Sequence, residues 1–304
     1  MMFLDGIKKS ATLLVGAGLL SLMMVGCGST NGAADVGAAP VPGGNELVVM
    51  DGTNADQVLA SSVSTIGKVA KRIDDLVDDL PGVGVASSQI AQASPGIDGS
   101  VAVSNDDVAF SLVSRDCSKG GSISVDSLST DGGTVTFHSC HEKSVILDGT
   151  VMITYHDGEY AARFTNVNAT FSTGNLVLSD AGLTAKGSTF DFAIASASAM
   201  VQGIDIGIRN MKIHKYTSGT TVDGSIATGC ICCQWINVTT VSPLGFQKTD
   251  LVSGTIRLSG ANGTYMEVMA NPNCCVTTTL NGKPYATYDS IKNLPKYNAV
   301  CPLP

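Results

Sequence analysis

From Ser100 to Leu280 the apolar residues recur at every second position, segment after segment. A helix cannot gather such a pattern on one face, because its faces repeat every ~3.6 residues. Strands with one covered face can. The segments VAVSNDDVAFSLV, SISVDSL, GTVTFHSC, TVMITYH, YAARFTNVNATF, STFDFAIASASAMV, IDIGIRNMKIHKY, SIATG, QWINVTTV, GTIRLSG, TYMEVMA and CVTTTL all read as strands. Turn signals separate them. Asp98-Gly99-Ser100, Asp148-Gly149-Thr150, Asp223-Gly224-Ser225, Ser253-Gly254-Thr255 and Asn262-Gly263-Thr264 each read as a turn glycine feeding a Ser/Thr strand start. Their spacing is too irregular for a solenoid. Asn262-Gly263 and Asn281-Gly282 suit hairpin turns. The expected fold is therefore mainly β: an antiparallel meander forming a curved sheet, a half-barrel or a sandwich.

One helix precedes the strands, within 53–82. Thr53-x-x-Asp56 reads as a capping box. Val58, Leu59, Val63, Ile66, Val69, Ile73, Leu76, Val77 and Leu80 then recur at threes and fours, and Pro81-Gly82 stops the run. The opposite side carries Lys68, Lys71, Arg72, Asp74, Asp75, Asp78 and Asp79. The apolar stripe is expected to cover one face of the sheet, with the charged side in solvent. The aspartates lack the alternating ligand loop of a calcium site. The charged side is too acidic for a helix lying on a membrane surface.

The N-terminus specifies a destination. Lys8 and Lys9 are followed by an uncharged stretch, Ser10 to Gly26, that ends in Met24-Val25-Gly26-Cys27. Position, charge, apolar core and cysteine together resemble the lipobox of bacterial lipoproteins. The resemblance covers only the first thirty residues or so and implies removal of 1–26. It implies acylation of Cys27 on its sulfur and on its new amino group. Each buried methylene of such chains adds ~0.8 kcal/mol of membrane affinity. Gly28, where Asp tends to retain lipoproteins of this class in the inner membrane, implies the outer membrane. Residues 27–52 contain GSTNGAADVGAAPVPGGN, which suits a flexible tether. The β domain spans 83–304, with a Cys-rich C-terminal subdomain from about 225–304 as an option.

Several function classes are disfavoured. The formal charge is −8 with no Lys/Arg cluster, which suits no nucleic-acid partner. Aromatics make up 5% of the chain, too few for the girdles of a membrane barrel. Trp235 is the only Trp, and with Tyr265, Tyr285, Tyr288 and Tyr297 it reads as core or rim rather than as a sugar-stacking platform. There is no Gly-x-Ser-x-Gly elbow, no phosphate-binding loop and no dinucleotide fingerprint. His141-Glu142 begins like a zincin motif, but Val145 occupies the place of the second histidine. No catalytic residue and no cofactor is assigned.

The cysteines carry the remaining signal. Besides Cys27 the chain has Cys117, Cys140, Cys230, Cys232, Cys233, Cys274, Cys275 and Cys301. An even number in an exported chain favours disulfides. Cys117 and Cys140 make a natural local pair. If the others lie on strands, Cys232 and Cys233 face opposite sides, as do Cys274 and Cys275. One bridge on each face would then leave Cys230 for Cys301, one pairing of many. The alternative is a thiol–metal or redox centre on Cys230, Cys232, Cys233, Cys274 and Cys275, although CxCC and CC lack the usual zinc and redox spacings. In the strand ending at Cys140, side chains of Thr136, His138 and Cys140 are expected on one face, where His138 and Cys140 with His141 could also hold a metal.

These readings converge on a cell-envelope lipoprotein, held by its N-terminal lipid at the outer membrane and facing periplasm or exterior. Its expected role is a non-enzymatic binding or structural module, with an envelope protein or a hydrophobic ligand as partner. A concave sheet backed by a helix resembles the lipoprotein-carrier class of periplasmic proteins at the level of fold, with no shared motif.

Overall fold

The period-two segments from Ser122 onward form one sheet, while VAVSNDDVAFSL lies outside the described residues. The structure, a computed structural model, describes residues 45–79, 113–129, 132–142, 144–156, 159–201, 203–229 and 234–295. The helix α1 is Ala55–Asp79. The strands are β1 Val113–Asp116, β2 Ser122–Ser129, β3 Gly132–Glu142, β4 Val145–His156, β5 Glu159–Phe171, β6 Gly174–Lys186 and β7 Thr189–Val201. They continue as β8 Ile204–Tyr216, β9 Gly219–Thr228, β10 Trp235–Gln247, β11 Asp250–Ser259, β12 Tyr265–Ala270, β13 Val276–Leu280 and β14 Lys283–Tyr288. All 14 strands pair antiparallel in chain order. Among the described residues β1 pairs only with β2 and β14 only with β13, so the sheet is open. Ser225 lies inside β9, paired on both sides, so the C-terminal block continues this same sheet.

Two strands, β6 and β14, have no counterpart among the segments expected from the sequence. β6 contains Asp180-Ala181-Gly182, which looks like a turn, yet the strand runs through it with a register shift at Asp180. The glycine triplets also need correcting. Asp148-Gly149-Thr150, Asp223-Gly224-Ser225 and Ser253-Gly254-Thr255 lie inside β4, β9 and β11, not at their starts. Gly149 has φ 116 and faces Asn166 of β5 at φ 53; Gly224 has φ 148 and faces Asn210 of β8 at φ 48. The ladder slips at both places. A side chain on Gly224 would put its Cβ 2.5 Å from the Met211 Cα and 2.8 Å from the Asn210 oxygen. Each glycine admits a bulge in the neighbouring strand, and bulges bend and twist a sheet. Asn262-Gly263 and Asn281-Gly282 are turns, as expected, with positive φ at all four residues.

The bent sheet closes round the helix. Every residue from 55 to 77 is buried or half-buried, although a helix on a flat sheet would leave its back in water. At one end of the helix Asp56 meets Tyr285 of β14, and further along Arg72 meets Thr173 beyond β5. Those two helix positions are ~24 Å apart along the axis. Nine strand spacings on a flat sheet would cover ~43 Å. The sheet must therefore curve, and α1 occupies its concave side. Val58, Leu59, Val63, Ile66, Val69, Ile73, Leu76 and Val77 join the inward residues of β2 to β13 in one continuous core. Among the described residues no helix is long and apolar enough to cross a membrane.

The charged side of α1 is not the solvated face that the sequence suggests. Asp74 pairs with Lys215 of β8, and the Arg72 guanidinium lies 4.3 Å over the Phe171 ring. Burial holds the Lys68 ammonium and the Arg72 guanidinium below their usual pKa range. The curling sheet reaches this side too. The expected capping box is also replaced. Asp51 caps the helix: its Oδ1 accepts from the Thr53 hydroxyl, the Thr53 N–H and the Asn54 N–H. These bonds, that from the hydroxyl first, hold its carboxyl below the usual range.

Candidate functional site

Residues 45–48 pack against the start of β10. Val48 N–H donates to the Trp235 carbonyl and Trp235 N–H donates to Glu46, while Ala261 N–H donates to Val48. Residues 46–48 are thus threaded between the start of β10 and the turn 260–264. Arg209 donates to the Asn45 side chain and lies 4.0 Å over the Trp235 ring. Trp235 is only 2% exposed, which places it in the core.

Cys117 and Cys140 are joined as expected, with Cα atoms 5.5 Å apart. The face assignment around them needs correction. Ser139 has φ 47 and the β3–β4 ladder shifts between Phe137 and Cys140. This bulge turns Cys140 inward, where it is fully buried, and leaves His138 exposed. Asp148 Oδ1 holds the bulge by accepting from the Ser139 N–H at 2.6 Å and from its hydroxyl at 3.1 Å. His138 Nε2 is 3.1 Å from the Ser124 hydroxyl. Cys140 and the histidines therefore do not share a face. Among the described residues no three His, Cys, Asp or Glu side chains converge as a metal site.

Cys274 and Cys275 lie in the turn between β12 and β13, not on strands, and their sulfurs meet each other. This removes the premise of one bridge on each sheet face. The turn is exposed at Cys274 and anchored by Asn271, whose carbonyl accepts from both cysteine N–H groups. Cys27, Cys230, Cys232, Cys233, Cys301 and Tyr297 lie outside the described residues.

Where the helix begins, β14 closes over it. The Tyr285 hydroxyl donates to Asp56 at 2.9 Å. Burial, aided by that bond and the adjacent charge, pushes Tyr285 up to about 12. Burial and the same carboxylate also raise Tyr288.

Two concavities stand out among the described residues. The first is an outer-face depression of about 560 Å³ across β4 to β7, floored by Ala161, Gly182, Ala193 and Ala195 with Met152 at its side. Arg163 and Asp180 face each other across it at 3.7 Å. The second is a cleft of about 410 Å³ between α1 and the ends of β7 to β10. Its base is Phe190, Ile213, Leu244 and Phe246, and Lys71, Asp74, Lys215 and Lys248 stand round it. No family model matches the chain, and no curated protein and no solved structure matches it.

The sequence reading did not single out Lys215 or Lys248. They come from β8 and from the β10–β11 turn, and face a helix more than a hundred residues earlier. No linear motif records that meeting.

Proposed function

We propose that the protein is a lipid-anchored module of the bacterial cell envelope, tethered through Cys27, that binds or builds rather than catalyses. The N-terminal pattern of Lys8, Lys9, apolar core and Cys27 supports the anchoring. One structural observation carries the rest: the concave side of the sheet is filled by the chain's own helix, whose residues from 55 to 77 are all buried or half-buried. A filled concavity directs recognition to the outer face and the helix–sheet cleft, where envelope proteins or small amphiphiles can reach. Gly28 favours the outer membrane.

Labelling cells with radioactive palmitate tests the anchoring. The wild-type chain should carry label and sediment with membranes, and Cys27→Ser should do neither. An unlabelled wild-type chain would overturn the reading. The exposed turn holding Cys274 and Cys275 favours a second reading, a thiol–metal or redox centre. Thiol counting and metal analysis on the purified protein decide it: free cysteines with stoichiometric metal would select the second reading over the first.

A further inference from the structure

We propose that the cleft between α1 and the β10–β11 turn binds an amphiphilic carboxylate, a single anionic group on an apolar body. Its volume of about 410 Å³ falls within the range of small-molecule sites, roughly 300–1,000 Å³. Its two halves differ in chemistry. The base is apolar: Phe190, Ile213 and Leu244 are buried there, and the half-buried Phe246 offers its open surface. At the rim Lys71 pairs with Asp75 and Lys215 pairs with Asp74, which leaves Lys248 as the surplus positive charge. On a chain of formal charge −8 this local positive excess is a departure, and it complements an anion. Lys215 Nζ already sits 5.6 Å over the Phe190 ring, where the apolar base meets the charged rim.

Lys248 adds an independent argument. It adopts φ 60 in a turn of the kind that Gly187 and Gly203 serve elsewhere in this sheet. Glycine or asparagine meets that conformation at lower cost. A lysine kept in a left-handed position on the lip of the cleft, with its side chain available, is what an anion site would require. An anionic head would thus sit at Lys248, with its apolar body along Phe246.

Decanoate is the probe, titrated by calorimetry and by the shift of its carboxyl carbon in NMR. The full chain is used, unacylated through Cys27→Ser. Decanol and decyltrimethylammonium are the controls. Decanoate should bind at one site, and both controls should bind at least tenfold more weakly. Lys248→Glu changes an exposed turn and leaves the core intact, and it should weaken decanoate at least tenfold. A second variant, Lys248→Arg, should keep affinity within about threefold. Absent decanoate binding, equal affinity for decanol, or indifference to Lys248→Glu would each overturn the proposal. Palmitate labelling of Cys27 is unaffected by any of these outcomes, so failure of this site leaves the anchoring proposal to its own test.

Discussion

Gly67 tests whether the sheet closes over the helix. In an exposed helix Gly→Ala stabilises by about 1 kcal/mol, because alanine loses less backbone entropy. Here the β10–β11 turn lies directly against Gly67. A Cβ at that position would fall well inside contact distance of the Thr249 carbonyl oxygen and 3.0 Å from its carbonyl carbon. Carbon atoms pack at ~3.5–4.0 Å, so the turn would have to retreat by at least ~0.5 Å. The obstacle is backbone, which cannot swing aside as a side chain can. Overpacking costs ~1–3 kcal/mol in a well-filled site, and a rigid obstacle belongs in the upper part of that range. The clash therefore outweighs the propensity gain, and Gly67→Ala should destabilise by about 1–2 kcal/mol. Urea unfolding measures it as a lowered midpoint at unchanged slope. Ser64→Ala, three residues away on a half-buried part of the helix, is the control and should gain about 0.5 kcal/mol. A midpoint raised by Gly67→Ala would refute the reasoning, because it would place the helix back in solvent.

Four further outcomes are expected. Gly224→Ala should cost about 2–3 kcal/mol, from the positive φ and the approach to Met211. Gly182→Ala, whose nearest atom is 3.9 Å away, should change the urea midpoint little. Replacing Cys117 and Cys140 together by alanine opens a loop with separation 23 and should cost about 3 kcal/mol, read in the same assay. Tyr285 holds its proton in the folded chain up to about 12, against an ordinary value of 10.0. The folded state then binds more protons than the unfolded one across that window. Its contribution is present below 10.0 and is lost as pH rises toward about 12. Alkaline unfolding curves should show that loss, and Tyr285→Phe should reduce it.

Fold class, strand order and the single helix were legible because each rests on a local period. Two kinds of feature were not. Gly149 and Gly224 were read as turn glycines because a turn and a bulge both need positive φ, and only the facing Asn166 or Asn210 distinguishes them. That facing is a property of two strands and is invisible in either alone. β6 was hidden by Asp180-Ala181-Gly182 for the same reason: its shift is accommodated by β7 next to it. Cys140 changed face because Ser139 adds one residue to the strand, and a single-residue slip inverts everything after it.

The same bulges explain why the candidate sites lie where they do. A flat 14-stranded sheet would leave most of one face uncovered by a single helix. Bends at Gly149, Gly224 and Gly254 bring the strands round α1, so one stripe of Val, Leu and Ile suffices to complete the core. The bend that brings the strands in also brings their polar ends against the charged side of the helix. Lys215 reaches Asp74 there, and the Lys248 turn lies over the same half of the helix. The cleft is thus a consequence of the curvature. If Gly224→Ala relaxes the bend without unfolding the chain, Lys215 and Lys248 should draw away from α1, and decanoate affinity should fall along with the urea midpoint. Decanoate affinity unchanged in a folded but destabilised Gly224→Ala chain would separate the cleft from the bend and sink this account of its origin.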